Sequence, residues 1–453
     1  MKTTTSIYKS TLIYSIGNFG SRILTFLMFP LYSFYLSTAE YGNYDLILST
    51  IALIIPVVTF QIPDCIMKFT SENDNKIVIN TSIFICFVCA TIVLLFGSVY
   101  LKIKGYQIIL VLWVVFQIVN KFLLQITRAL GKNLIYSLSS IVSTGITLLL
   151  TIIFLITLNL KIEGLIYAGI ISEFLTSVYL VVVNRLWNYI ELSKISNKLL
   201  KTMIVFAVPL IPNAMIWWIM NSSDKFIINH FLGSEFNGIY AISYKFPTII
   251  TILYGFYNLA WQDYIFFDAS SKDFKEIIDQ FFNFIFFLSI VIMFFAKIIC
   301  TYFVDKAYYS AYLYIPPIII GMIFYCFAGF FGIAYRKLND TKKEFLSSII
   351  GAIFNVVINI LLIKYIGLWS AAISTMISFV IVFIIRYKDT KKFFNYNFFV
   401  NRNVKQITLC CIFVAFYYID NNFSMFAVTL LSCIVFILKN RLLLKDFLLL
   451  VKK

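Results

Sequence analysis

The sequence predicts an all-α polytopic membrane protein, and three observations carry that reading. Apolar residues make up 61% of the 453 and charged residues only 13%, where a soluble domain holds about 45–50% and about 25%. The apolar residues fall in continuous runs of about 20, the length a helix needs to cross a bilayer core. Runs of that length read as helices and not as the alternating strands of a membrane barrel. The loops between them are short, and their Lys and Arg residues fall on one side, which fixes an orientation.

Fourteen runs qualify, with ends good to about two to four residues. Span 1, roughly 11–36, is too long for a cleavable leader, contains Arg22, and has no small-residue cleavage site behind it. Spans 2 (43–66) and 3 (77–100) follow, joined by a polar loop with Lys68 and Lys76. Spans 4 (108–128) and 5 (134–158) are joined by a turn reading RALGK, and span 6 (165–184) closes the first half. A basic connection at 185–201 leads to spans 7 (202–231) and 8 (238–262). Spans 9 (280–304), 10 (314–335), 11 (346–364) and 12 (367–385) complete the second half, and the short spans 13 (406–420) and 14 (425–438) end the series. The organisation predicted is an N-terminal lobe 1–199, a C-terminal lobe 200–390 and a terminal pair 391–453. No loop is long enough to fold as a separate domain.

Charge sets the orientation. With the N-terminus inside, 27 Lys and Arg fall in inner segments and five in outer loops, which places both termini in the cytoplasm. The net charge of +16 is therefore mostly topology. It favours anionic inner-leaflet lipid and does not imply nucleic acid.

The chain contains a repeat of itself. Residues 35–44 read YLSTAEYGNY and 231–240 read FLGSEFNGIY, an offset of 196 that pairs Leu36 with Leu232, Gly42 with Gly238 and Tyr44 with Tyr240. A second offset, 208, pairs Arg128 with Arg336 and the run Leu138–Ile141 with Leu346–Ile349. Both halves begin inside and hold six spans, so they are parallel repeats about an axis along the membrane normal. Six of the eight prolines fall in the repeat-equivalent spans 1, 2, 7 and 8. Proline bends a helix, so these spans suit the gating of a cavity between two lobes.

Several ionisable residues fall inside spans, where a central Arg or Lys costs at least about 2.5–3.5 kcal/mol. Arg22 lies about 18 Å along span 1, too deep for easy snorkelling, with Asn18 one turn below it on the same face. It either binds substrate or pairs with an acid on another helix. Asp224 and Lys225 lie in the outer half of span 7, with Asn221 on the Lys225 face, and Lys245 lies in span 8. Lys121 and Lys297, near span ends, read as snorkelling cations. Glu173 in span 6 is the one acid well inside an otherwise apolar helix; it is either the partner of a buried cation or a protonatable coupling site. Asp64 and Asp263 read as helix-end contacts, and His230 as an interfacial residue. The cations Arg22, Lys121, Lys225 and Lys245 outnumber the acids Glu173 and Asp224. That surplus suits an anionic substrate, a phosphate above all, because Arg offers it a bidentate fork.

No Walker motif is present, so no nucleotide hydrolysis is visible. Cys86 and Cys89 form a C-x-x-C in an apolar span with no matching pair, so neither a metal nor another cofactor is predicted. The 29 tyrosines and 48 phenylalanines suit aromatic belts and sugar-stacking surfaces alike.

The segment 208–247, VPLIPNAMIWWIMNSSDKFIINHFLGSEFNGIYAISYKFP, resembles spans 7 and 8 of the Wzx-type oligosaccharide flippases of bacterial surface-polysaccharide synthesis. The family pattern is PxxPN, then D-[RK]-[FY]-I-I, then an LG…NGIY turn. LSTAEYG (36–42) and RALGK (128–132) match the opening half. The resemblance covers nearly the whole chain and extends to the wider multidrug/oligosaccharidyl-lipid/polysaccharide exporter superfamily. It implies twelve to fourteen helices in two lobes around a central cavity, in the bacterial cytoplasmic (inner) membrane. It also implies transport, not enzymatic catalysis. The cargo implied is an undecaprenyl-diphosphate-linked oligosaccharide, such as an O-antigen, lipopolysaccharide or capsule repeat unit, moved from inner to outer leaflet. The motif carries over onto Asp224, Lys225 and Pro212-Asn213, whereas Arg22 rests on its depth alone. The expected substrate residues are Arg22, Lys225, Lys245, Asn18 and Asn221, and the coupling residues Glu173 and Asp224, with a proton or sodium ion as coupling ion. Three rivals stand beside this reading. A cation-coupled multidrug exporter of the same superfamily sits poorly with a cationic cavity. A membrane-embedded polysaccharide polymerase or ligase would need a sizeable outer loop. The lipid II flippases of peptidoglycan synthesis share the fold.

Overall fold

A helix satisfies its own backbone N–H and C=O groups, which is what an apolar solvent requires, and this chain is built from helices. The computed structural model describes residues 20–100, 107–268, 274–338, 340–398, 401–419 and 422–440, and among them there is no strand. The α-helices are α1 (20–35), α2 (Thr38–Val58), α3 (Ile66–Glu72), α4 (Asn75–Tyr100), α5 (Gln107–Ala129), α6 (Asn133–Ile152) and α7 (Lys161–Asn184). They continue as α8 (Asn197–Ala207), α9 (Leu210–Phe231), α10 (Ser234–Asp263), α11 (Phe274–Tyr302), α12 (Ile315–Lys337), α13 (Thr341–Ile366), α14 (Trp369–Phe394), α15 (Asn401–Tyr417) and α16 (Asn422–Lys439).

Among the described residues, nine helical segments are long and apolar enough to cross a membrane, and the bent pair α8–α9 makes a tenth. Helices lie at the other expected positions too. α10 is long, with Glu235 in its first turn, Lys245 and Pro247 within it and Asp263 at its end. α15 and α16 carry only short apolar stretches, Thr408–Tyr417 and Ala427–Lys439.

Two expected spans differ in shape. Span 2 starts earlier, because Ser37 and Glu40 form a capping box: Ser37 N and Oγ both donate to Glu40 Oε2 at 2.9 Å. It also ends earlier. α2 stops at Val58, Phe60 and Gln61 take left-handed backbone angles (φ 49° and 55°), and Ile62–Cys65 form a short 3₁₀ turn. Span 7 is two helices meeting at 41°, with Pro209 at the break, where the missing N–H and the ring prevent helix continuation.

The chain divides into two compact units: Met1–Leu36 with Tyr44–Trp218, and Ser37–Asn43 with Ile219–Lys453. In the first, α5 packs against α4 and α7, and α6 packs on α7. The segment after α7 is tied to the start of α4. Lys76 pairs with Glu191, Asn80 Nδ2 donates to the Tyr189 carbonyl at 2.7 Å, and Thr81 Oγ1 accepts from Ser196 N at 3.2 Å. The Lys76 ammonium holds the Glu191 carboxyl below its usual range.

In the second unit, α12 packs against α14 and α10, α13 on α14, and α16 on α11. Stacked rings bind this core, with Phe282 and Phe327 at 3.7 Å and Trp261 and Phe330 at 4.0 Å between centroids. The first turns of α2 and α10 cross here without side chains between them. A Cβ on Gly42 would stand 2.0 Å from the Ser234 carbonyl oxygen, and one on Gly238 would stand 2.0 Å from that of Thr38. Residues 42 and 238 differ by the repeat offset of 196, and so do 38 and 234. The contact is therefore reciprocal, as two copies of one motif meeting about a pseudo-twofold axis require.

Candidate functional site

The expected site residues are divided between the units. Arg22 and Glu173 lie in the first; Asn221, Asp224, Lys225 and Lys245 lie in the second. Asn18 lies outside the described residues.

Asp224 is buried on α9, and all its hydrogen-bond partners are neutral. Thr375 Oγ1 donates to Oδ2 at 2.6 Å, Tyr240 Oη to Oδ2 at 3.0 Å, and Asn359 Nδ2 to Oδ1 at 2.8 Å. A further shell orients these groups. Ser370 donates to Asn359 Oδ1 at 2.8 Å, Asn355 Nδ2 to Thr375 Oγ1 at 3.3 Å, and Ser223 to Asn355 Oδ1 at 3.0 Å. Side chains from α9, α10, α13 and α14 thus converge on one carboxylate. A buried carboxylate without a paired cation is costly. This one can shed the cost by taking a proton or a small monovalent cation, for which hard oxygens are the natural ligands. Asn355, Asn359, Thr375 and Tyr240 are not among the site residues expected from the sequence. The available signal was two asparagines one turn apart in an apolar helix.

Asn221, Lys225 and Lys245 are half-buried near this cluster in sequence. Tyr244 Oη donates to Asn221 Oδ1 at 3.5 Å, and the Tyr244 ring lies against Tyr240.

Arg22 is exposed and has no hydrogen-bond or ion-pair partner among the described residues. Its direction is informative. Phe29 and Ser33, seven and eleven residues on, are close to two and three turns away, so they share its face, and both are buried. The exposed apolar residues Ile23, Leu27 and Phe34 lie on the opposite face. Arg22 therefore points the way the helix packs, not the way its apolar face points, and it stays accessible there.

Glu173 sits on α7 and accepts a hydrogen bond from Asn120 Nδ2 of α5. Its partner among the described residues is this amide and not a cation. Lys121 is half-buried, with Nζ donating to Gln61 Oε1 at 3.3 Å. Asp64 and His230 are exposed.

Two cations were misread. Lys297 does not snorkel: it is buried, and Nζ donates to the carbonyls of Tyr417 and Ile419 at 2.6 and 3.0 Å. It closes the C-terminus of α15, where carbonyls lack partners and the helix dipole is negative. Arg386, just past the expected end of span 12 at 385, is buried inside α14. Its guanidinium donates to Ser347 Oγ, Ser348 Oγ and the Ala328 carbonyl at 3.0, 2.8 and 3.1 Å. Gly332 leaves the room, since a Cβ there would stand 2.7 Å from Arg386 Nη1.

Residues 7–262, more than half of the chain, match the family described as polysaccharide biosynthesis protein. The fold is similar to that of the lipid II flippase MurJ in an inward closed conformation, with a TM-score of 0.67 at 16% identity, covering 96% of this chain and 100% of that one. It is similar to an inward-facing multidrug resistance MATE family transporter of the MOP superfamily, with a TM-score of 0.60 at 15% identity, covering 84% and 95%. A MOP superfamily transporter from Pyrococcus furiosus with a reversed polarity of its binding pocket gives 0.56 at 14% identity, covering 86% and 97%. No curated protein sequence matches the chain. At these identities the structural likenesses show a shared fold.

Proposed function

The chain belongs to the polysaccharide biosynthesis protein family, and from that premise we propose that it flips a polyprenyl-diphosphate-linked oligosaccharide repeat unit from the inner to the outer leaflet of the bacterial cytoplasmic membrane. The observation that carries the reading is Arg22, an accessible guanidinium on the packing face of its helix that pairs with no acid among the described residues. A diphosphate is the head group such a cation recognises, through two parallel N–H···O bonds. Lys225, Lys245, Asn221 and Asn18 are the further groups assigned to the head group and its first sugar. The likeness to a lipid II flippase fits a lipid-linked cargo. Similar folds occur in inward-facing and outward-facing forms, which fits alternating access. Asp224 serves as the coupling residue, exchanging a proton or sodium ion as the cycle turns. Both termini lie in the cytoplasm on the Lys and Arg asymmetry.

Arg22→Ala tests this. An exposed residue without partners affects stability by no more than about 0.5 kcal/mol, so the variant reaches the membrane at parental abundance. Surface glycan export stops, and lipid-linked oligosaccharide accumulates on the inner leaflet. Arg22→Lys restores export only in part, because a point charge lacks the fork. Normal export by Arg22→Ala would place the head group elsewhere and overturn the assignment.

A further inference from the structure

We propose that the first unit carries its own monovalent-cation site at Glu173, built from the Glu173 carboxylate, the Asn120 amide and the Thr176 hydroxyl, and separate from Asp224. The geometry begins with α7. Gly169, Glu173, Thr176, Ser177, Leu180 and Asn184 recur at three- and four-residue steps and form one face. That face packs against α5 at three levels. A Cβ on Gly169 would stand 2.5 Å from the Trp113 ring, Asn120 meets Glu173, and Asn184 Nδ2 donates to Thr127 Oγ1 at 2.8 Å. The close contacts above and below hold the carboxylate between the helices.

The oxygens around it are unused. Asn120 is 5% exposed and spends its amide nitrogen on Glu173, while its Oδ1 has no hydrogen-bond partner. Thr176 Oγ1 and Ser177 Oγ, one turn from Glu173 on the same face, are buried and lack partners as well. Buried polar atoms are nearly always satisfied, and the neighbouring Ser172 is, donating to the Ser143 carbonyl at 2.7 Å. The Asp224 cluster is the contrast, since there donors close around the carboxylate. At Glu173 the surplus is in acceptors, which is what a cation takes.

Among the described residues Glu173 meets the Asn120 amide and no cation. On α5 the charged groups are Lys121, engaged with Gln61, and Arg128, more than two turns from Asn120 toward the helix end. α6 and the turn after it carry no charged side chain. On α7 itself Lys161 and Glu163 lie at the far end, in the first turn, and Lys132 reaches only the Val183 carbonyl at the other end. Glu173 remains partly accessible, so an ion can enter and leave. A bound proton or sodium ion would each balance the charge.

The use of this site in coupling rests on the flippase reading, but binding does not, and the test needs no lipid-linked sugar. The purified full chain with Asp224→Asn, in lipid bilayers, is titrated with acid and then with sodium while infrared difference spectra follow the carboxyl C=O stretch. A band that appears on acidification and is lost on adding Glu173→Gln is the expected result. If sodium binds, it suppresses the band in competition with protons, and Thr176→Val or Asn120→Leu weakens that competition roughly tenfold, the worth of one oxygen facing a charge. A band indifferent to sodium assigns the site to the proton alone. The proposal is overturned if Asp224→Asn shows no titrating band or if the band survives Glu173→Gln. Should Glu173→Gln fail to give monodisperse protein, Asn120→Leu and Thr176→Val decide: a titration that neither of them shifts, in proton or sodium midpoint, overturns it too.

Discussion

Replacing Gly42 with alanine adds a methyl group where the backbone of α10 already lies. Its Cβ would stand 2.0 Å from the Ser234 carbonyl oxygen and 2.8 Å from the Gly238 amide nitrogen. Carbon and carbonyl oxygen approach to about 3.3 Å at closest, so the helices must part by about 1.3 Å there. Neither atom belongs to a side chain that could swing aside. Alanine is worth about 1 kcal/mol over glycine within a helix. Overpacking costs about 1–3 kcal/mol, and parting the helices also strains the buried bond from Asn237 Nδ2 to the Gly42 carbonyl, 2.8 Å long and worth about 1 kcal/mol. The net expectation is a loss of about 1–3 kcal/mol, the clash outweighing the propensity gain. Gly238→Ala meets the Thr38 carbonyl in the same way, so it costs about as much. The double variant costs less than the sum, because one separation relieves both clashes. The measurement is the thermal midpoint of the monodisperse fraction of the purified chain. A midpoint for Gly42→Ala at or above the parent would refute the reasoning, since propensity would then have won and the crossing would not be tight.

Lys297→Met leaves the Tyr417 and Ile419 carbonyls without their donor and costs about 2 kcal/mol; hydrogen exchange rises first in α15 and α16, and uniform exchange across the chain would contradict this. Asp224→Asn keeps the volume and removes the charge, so stability is retained or improved while dependence of flipping on the ion gradient weakens; a variant that follows the gradient as steeply as the parent rules out Asp224 as a coupling residue. The Lys76–Glu191 pair makes the 186–196 connection sensitive to acid. Because the folded-state Glu191 carboxyl is held low, its contribution is present above the ordinary carboxylate value, about 4.3, and is lost as pH falls through the folded value. Protease protection of that segment therefore drops on acidification in the parent and is already reduced, without the pH dependence, in Glu191→Gln.

Span positions were legible because each apolar run is a local property of the chain. Breaks within runs were not. Nothing in the apolar course of 43–66 marks Phe60 and Gln61 as left-handed, a region that residues with a Cβ rarely enter; Pro56 and Pro63 signalled disturbance without locating it. Arg386 was hidden for a different reason. Counting basic residues assigns an arginine beyond an apolar run to a loop, but here α14 continues to Phe394. Gly332 and the serine pair at 347–348 make a socket for the guanidinium. That serine pair was visible in sequence as part of a repeat, though its role depends on a residue 38 or 39 positions away. The Asp224 cluster is the extreme case. Its acid was legible, but Asn359 and Thr375 lie 135 and 151 residues on, and no local pattern joins them.

The balance of buried charge changes once partners are known. In the sequence it was a surplus of cations over acids inside the spans. Lys297 and Arg386 enlarge the count of buried cations but are answered by carbonyls and hydroxyls, so they add nothing to an anion site. Among the described residues Glu173 and Asp224 hydrogen-bond only to neutral groups, and Asp45 is a third buried acid. We assign Arg22 to the anion and Glu173 and Asp224 to small cations. On the flippase reading this separation has an energetic use. Each charge crossing the membrane is worth about 2.3 kcal/mol per 100 mV. A diphosphate moving outward gains from a potential that is negative inside, and so does a proton or sodium ion moving inward on a carboxylate. If anion and cation shared one ion pair, their movements would be electrically silent and this drive would vanish. Holding them on different residues lets both movements run downhill in the same cycle.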